Sequence, residues 1–219
     1  CTSWNVNQAA AIIICSEKIA NLLNIPEDKR VYPIASSENN HMISTLQRPS
    51  LSDSAGMNLA AQFILEVCKR NNLTPSLYDL YSCFPIAVQM FAKSLKLENL
   101  ENTSITGGMS FAGGPLNSYV LNATAQIIKM IRKNKNTGIV TGVSGMMTKQ
   151  SYALWSKNPL DEFSYKDVTE DAKKIDYPIE ISNSNAGIGK IIGYTVLYLK
   201  QIPNKGVIYI EDNDKKRKI

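Results

Sequence analysis

The sequence has one histidine, His41, and four cysteines, none of them in a C-x-x-C pair. Zinc ligands at their usual spacing are therefore missing. Cys15, Cys68 and Cys83 stand in apolar or helical contexts, which fits reduced thiols and not a disulfide framework. Aromatic residues make up 8% of the 219, and no stretch alternates them with basic residues. The net charge of +5 thus argues only weakly for nucleic acid. Long apolar runs are missing too. The longest, residues 9–15 (AAAIIIC), is seven residues, far short of the ~20 a membrane span needs. Three N-x-[ST] triplets, at Asn72, Asn102 and Asn122, come with no leader-like stretch and read as chance.

What is present is a 44% hydrophobic, 20% charged chain, able to bury a core. Residues 1–157 hold 14 Lys and Arg against 9 Asp and Glu, while residues 158–219 hold 10 of each. The pattern also changes near 158. A domain is expected over 1–157, and a partial β domain with a polar linker and a basic tail over 158–219. The tail run KKRK, 215–218, reads as solvated. The chain begins at Cys1 in mid-pattern, so an excerpt of a longer protein, or a processed one, is expected.

The run 9–15 has no polar face and reads as a buried strand. Ser16 is a candidate N-cap for a short helix to Leu23. Residues 31–35 form the next expected strand, and 36–50, polar and aperiodic, a loop holding His41. Ser52 or Asp53 is expected to cap a long helix to about Asn71. Its apolar stripe is Met57, Ala60, Ala61, Ile64, Leu65 and Cys68. Strands follow at 77–81, 103–106, 138–142 and 149–155. Helices are expected from Pro85 to about Ser94 and over 116–133. The second helix has an apolar face of Tyr119, Val120, Ala123, Ile127 and Met130, widened by Ala125 and Ile128, which suggests burial all round. Residues 190–199 and 206–211 read as a hairpin turning at 203–206. Alternating strands and helices indicate βαβ units and a parallel or mixed sheet.

Three loops end strands where ligands collect in open α/β sheets: 81–85 (YSCFP), 107–115 (GGMSFAGGP) and 142–145 (GVSG). The first two also start helices, whose free N–H groups suit an oxyanion or a phosphate. Each signal alone is weak. Gly-Gly-Pro before a helix is ordinary turn geometry. Cys83 reads as a small buried residue or as a thiol whose pKa the helix N-terminus lowers. A nucleophilic cysteine needs a base, and nothing in the sequence places His41 near it.

Four segments together, NQAAAIIICSE (7–17), DLYSCFP (79–85), TGGMSFAGGP (106–115) and GIVTGVSG (138–145), resemble the C-terminal half of the thiolase superfamily. The closest resemblance is to thiolase-like, lipid-transfer-type acetyl-CoA acetyltransferases with an extra C-terminal domain. It implies a βαβαβαββ half-fold, a five-stranded mixed sheet between helices, with a small β-rich appendage. It also implies a ligand, a coenzyme A thioester, with no cofactor bound covalently.

Active members of that superfamily take a nucleophilic cysteine from an N-terminal half, which this sequence lacks. The resemblance places the asparagine or histidine of the second loop on Tyr81, followed by Ser82, Cys83 and Phe84. It places the histidine of the Gly-His-Pro loop on Gly114, between Gly113 and Pro115. The acid/base cysteine falls on Gly142, and the glycine after it on Ser144. The main-chain frame is kept while the proton-transferring side chains are lost, and glycine transfers no proton. Cys83 and Tyr81 are the remaining catalytic candidates. Ser82, Phe84, Gly113, Gly114, Pro115, Gly142 and Ser144 are the substrate-binding ones.

The reading that follows is a cytoplasmic, thiolase-like acyl-CoA-binding protein of lipid metabolism. It resembles an acyltransferase that is degenerate and incomplete. Two alternatives stay open: an active acyl-CoA acyltransferase with its nucleophile in an absent N-terminal half, and a non-catalytic interaction subunit. Expected partners are acyl-CoA, the missing N-terminal thiolase half, and a second copy or an acyl-CoA-binding protein.

Overall fold

The structure is a computed structural model that describes residues 2–114, 117–134, 137–183 and 186–219. Five strands make the main sheet: β1 (Tyr32–Asn39), β2 (Leu77–Asp79), β3 (Thr137–Ser144), β4 (Met146–Ser156) and β5 (Ser164–Asp167). Their order is β2-β3-β4-β1-β5. The pairs β2/β3 and β1/β5 are parallel, and β3/β4 and β1/β4 are antiparallel. The sheet is thus five-stranded and mixed, as expected, and four of its strands are expected ones, but residues 9–15 and 103–106 are not among them.

Residues 9–15 form no strand, and Ile13 and Ile14 lie 92% and 80% exposed. Apolarity sets a tendency to be buried. It does not supply the neighbouring strand that a ladder requires. The short helix after it, α1 (Glu17–Leu22), does form, and the Ser16 hydroxyl accepts the Ile19 N–H at 3.3 Å. Residues 103–106 make a single bridge, Asp79 to Ser104, because the Ser104 and Thr106 hydroxyls bond the Asp79 carboxylate. The fifth strand is instead β5.

Part of the expected loop 36–50 is strand. β1 continues to Asn39, and its polar side chains are satisfied inside the protein. Ser37 donates to the Ala60 carbonyl at 2.7 Å, and Asn39 accepts the His41 N–H at 3.1 Å. Burial with partners costs little, so polarity alone misread this stretch.

One face of the sheet carries α2 (Ala55–Arg70) and α3 (Pro85–Ser94). α2 buries Met57, Ala60, Ala61, Ile64, Val67 and Cys68, the 3.6-period stripe. Its cap is Ser54, not Ser52 or Asp53. The Ser54 hydroxyl accepts from the Met57 N–H, while Asp53 accepts the Ser54 N–H. Pro85 opens α3 at its first turn. The other face carries α4 (Tyr119–Asn134), packed through Tyr119, Ala123, Ile127 and Ile131. Ile139 packs toward α2 and its neighbour Val140 toward α4, as the period of two demands. α4 is not buried all round. Leu121, Gln126, Lys129 and Arg132 face out, so it is an ordinary amphipathic helix.

After 158, β5 and α5 (Thr169–Ile175) join the main layer, α5 against α2. A separate antiparallel sheet holds β6 (Gly189–Leu199), β7 (Ile202–Asp212) and β8 (Arg217–Lys218). Its hairpin turns at Lys200 and Gln201, with φ of +48° and +68°, and not at 203–206. Two positive φ values give the primed turn that matches strand twist. Pro203 lies within β7 opposite Tyr198, beside a register shift, where a strand tolerates proline. No helix among the described residues is long and apolar enough to cross a membrane.

Candidate functional site

The site starts at the end of β2, where Asp79 is fully buried. Its Oδ1 accepts the Tyr119 hydroxyl at 2.7 Å. Its Oδ2 accepts the Ser104 and Thr106 hydroxyls at 3.0 and 2.9 Å and the Thr106 N–H at 2.9 Å. One carboxylate thus ties together the strand end, the approach to the glycine loop and the first residue of α4. Charge-assisted bonds of this kind hold a loop in place.

Gly107 and Gly108 follow at φ of +84° and +80°, a region that only glycine adopts cheaply. The Ser82 hydroxyl accepts the Met109 N–H at 2.9 Å and so links the first two loops. Above it the Tyr81 and Tyr119 rings meet edge to face, centroids 5.7 Å apart. The Tyr81 N–H donates to the Thr141 hydroxyl at 2.9 Å, which ties the first loop to β3.

An open cleft of about 240 Å³ lies on the α4 side. Tyr81, Tyr119, Val120, Gly142 and Ser144 form one wall, and Glu38, Asn40, Lys149 and Ser151 another. Three expected site residues, Tyr81, Gly142 and Ser144, therefore share one cavity. The others lie elsewhere. Ser82 sits behind the cleft against Gly108. Cys83 is half-buried and Phe84 is 63% exposed at the start of α3. Gly113 and Gly114 are buried under the N-terminal segment, and Pro115 lies outside the described residues.

That segment is bound closely. Ser3 N–H donates to the Met109 carbonyl and Gly114 N–H to the Ser3 carbonyl, both at 3.0 Å. The Gln8 amide donates to the Ala112 and Gly113 carbonyls and accepts from Ser118 and Asn122. Thr2 donates to the Cys83 carbonyl at 3.4 Å.

Electrostatics follow burial. The Cys83 thiol is pushed up by desolvation, which outweighs backbone hydrogen bonds at the start of α3 that pull it down. Of the two readings of Cys83, the buried residue is favoured over the thiol lowered by a helix N-terminus. Tyr81 is pushed up by burial and by the nearby thiol. Tyr119 rises to about 12, chiefly through burial and then through the Asp79 charge. All three hold their protons at neutral pH, so none is a ready base. His41 is used otherwise: its Nε2 lies 2.9 Å from the Asp176 carbonyl, and it does not line the cleft. No cluster suited to a metal occurs among the described residues.

Sequence reasoning gave no site role to Asp79 or Thr106, and placed Tyr119 only on the apolar face of its helix. A carboxylate followed by Ser and Thr some 25 residues later is no signal until the fold joins them. Glu38, Asn40 and Lys149 were missed because the first two fell in an expected loop and the third in an expected strand.

No family model and no curated protein matches the chain. Among solved structures, a monomeric SCP2-thiolase-like protein of Mycobacterium smegmatis aligns with TM-score 0.80 and 25% identity over 91% of this chain. The chain spans 45% of that protein's length. An acetyl-CoA acetyltransferase of Syntrophomonas wolfei aligns at TM-score 0.46 and 16% identity, over 65% of this chain and 35% of that one. A dimeric peroxisomal thiolase of Saccharomyces cerevisiae gives 0.41 and 17%, over 64% and 33%. The mixed sheet, its two helical faces and the first of these likenesses agree: the chain has a thiolase-like fold and spans under half the length of that protein.

Proposed function

We propose that this chain binds an acyl-coenzyme A thioester in the Tyr81–Gly142–Ser144 cleft and is without ordinary thiolase turnover. One observation carries the reading: Gly142 and Ser144, the positions that resemble the acid/base loop, line the cleft as main chain and hydroxyl, together with Tyr81 and Tyr119. A hydroxyl such as that of Ser144 can hold a thioester carbonyl. Neither glycine nor a protonated phenol takes up a proton from an attacking thiol. Losing one oxyanion donor alone costs ~10²–10³ in rate, and here the proton shuttle is lost as well.

The test is calorimetric titration with acetyl-CoA together with a thiolysis assay on acetoacetyl-CoA, both on the full-length protein. Saturable binding with turnover at least ~10³ below an active thiolase is expected. No binding, or turnover at the level of an active thiolase, sinks the reading.

The exposed apolar surface favours a second reading, a non-catalytic interaction subunit. Tyr194, Tyr198 and Ile202, all on the β6–β7 hairpin, are each more than 60% exposed. Large apolar patches mark contact with a partner. Co-purification with a protein partner and no retained coenzyme A supports this reading over the first.

A further inference from the structure

We infer that the cleft selects an acyl group whose far end carries a carboxylate, held by Lys149. The inference rests on the acyl-thioester reading above. Side-chain alternation along β4 sets the direction. The Gln150 amide donates to Ser54 at the start of α2, and Tyr152 packs on Phe91 of α3. Lys149 and Ser151 therefore face the other side, toward α4 and the cleft. The Ser151 hydroxyl comes within 2.9 Å of the place a Cβ on Gly142 would occupy, so this wall meets the glycine loop directly.

Lys149 is half-buried and has no ion pair or hydrogen bond among the described residues. An ammonium in a cleft wall without a carboxylate to meet it is poised for an acidic ligand group. Glu38 lines the same cavity and is not paired with it. Its Oε1 is engaged by the Tyr165 hydroxyl at 2.6 Å. The two charges therefore share one cleft without closing on each other. An acidic ligand group gains from Lys149 and loses part of that gain to Glu38. Ser144 and Ser151 hydroxyls and the Asn40 and Asn117 amides add uncharged donors.

Size selects the kind of acid. The cleft is small, about 240 Å³, and open on one side. A four- or five-carbon acyl chain with a terminal carboxylate fits that space. An adenosine diphosphate does not, so the nucleotide of coenzyme A lies outside it.

The experiment compares glutaryl-CoA with valeryl-CoA, chains of equal length with and without the carboxylate, by calorimetry on the full-length protein. The parent is expected to bind glutaryl-CoA roughly tenfold more tightly. Lys149→Met, with its melting transition checked, is expected to erase that ratio, and Lys149→Arg to keep most of it. Glu38→Gln is expected to widen it several-fold and to remain informative if the Met variant does not fold. Equal affinity of the parent for the two thioesters overturns the inference and leaves the acyl-thioester reading standing. So does a ratio unchanged in Lys149→Met. If neither thioester binds while free glutarate binds in a Lys149-dependent way, the carboxylate site stands and the thioester reading fails. If glutarate fails as well, both fail.

Discussion

The Tyr119 hydroxyl donates to the buried Asp79 carboxylate at 2.7 Å, across 40 residues of chain and from the opposite side of the glycine loop. This bond fixes where α4 begins relative to the end of β2, and so fixes one wall of the cleft. Tyr119→Phe removes it and leaves Asp79 with three of its four donors. A loss of about 1–3 kcal/mol in urea unfolding is expected, with the fold retained.

Asp79→Ala removes the acceptor for all four donors at once. Buried donors left without partners cost more than one lost bond, so a loss of about 3 kcal/mol or more is expected. Hydrogen exchange at the Thr106 amide, which donates to Asp79, is expected to speed up in this variant. Unchanged exchange would show that the loop is held by other contacts.

Gln8 holds the N-terminal segment over the Gly113 loop, through both carbonyls of that loop and through Ser118 and Asn122. Gln8→Ala is expected to loosen the segment and raise the alkylation rate of Cys83 several-fold, read peptide by peptide by mass spectrometry. Cys15, already exposed, serves as the reference thiol and is expected to react alike in both proteins.

Gly113→Ala adds a Cβ at φ +83°, 2.3 Å from a Val6 methyl. Backbone strain and displacement of Val6 act together, and a loss of about 1–3 kcal/mol is expected by thermal or urea unfolding. Gly145→Ala is the control. Its φ is also positive, but the nearest atom is 3.7 Å away at Met42, a flexible side chain. A smaller loss is expected there.

Alkaline pH is expected to unfold the protein in a defined window. Burial raises Cys68 from 9.0 to about 11 and Tyr119 from 10.0 to about 12. The protonated forms are favoured in the folded state, so the unfolded chain ionises first. This stability is fully present below about pH 9 and falls as pH rises from there toward 12. Urea midpoints measured from pH 8 to 12 check the sign: a midpoint that rises over this range contradicts it.

Periodicity carried the helices. The stripe from Met57 to Cys68, the Ser16 cap and Pro85 at the start of α3 are local features, and local spacing is enough to specify them. The loops 81–85 and 107–114 were legible because glycine and proline mark sharp turns, whereas 142–144 are the end of β3 and only Gly145 turns. Pairing was not legible in the same way. The run 9–15 has a strand's composition and no ladder, while Ser164–Asp167 pairs with β1 and completes the sheet. The hairpin turned at Lys200 and Gln201, which carry no turn signature.

The site divides along the same line. By itself the sequence determined that the loop 81–85 joins a strand to a helix, that glycines stand at 114 and 142, and that the chain holds one histidine. Only the tertiary structure decided that Tyr81, Gly142 and Ser144 share a cleft while Gly113 and Gly114 lie under the N-terminal segment. It alone set Lys149 and Glu38 on that cleft with Glu38 held by Tyr165 and not by Lys149, and it raised the thiol of Cys83. The reason is physical. Turn and helix geometry depend on neighbours in the chain, whereas burial, charge pairing and desolvation depend on residues tens of positions away, brought together only when the sheet forms.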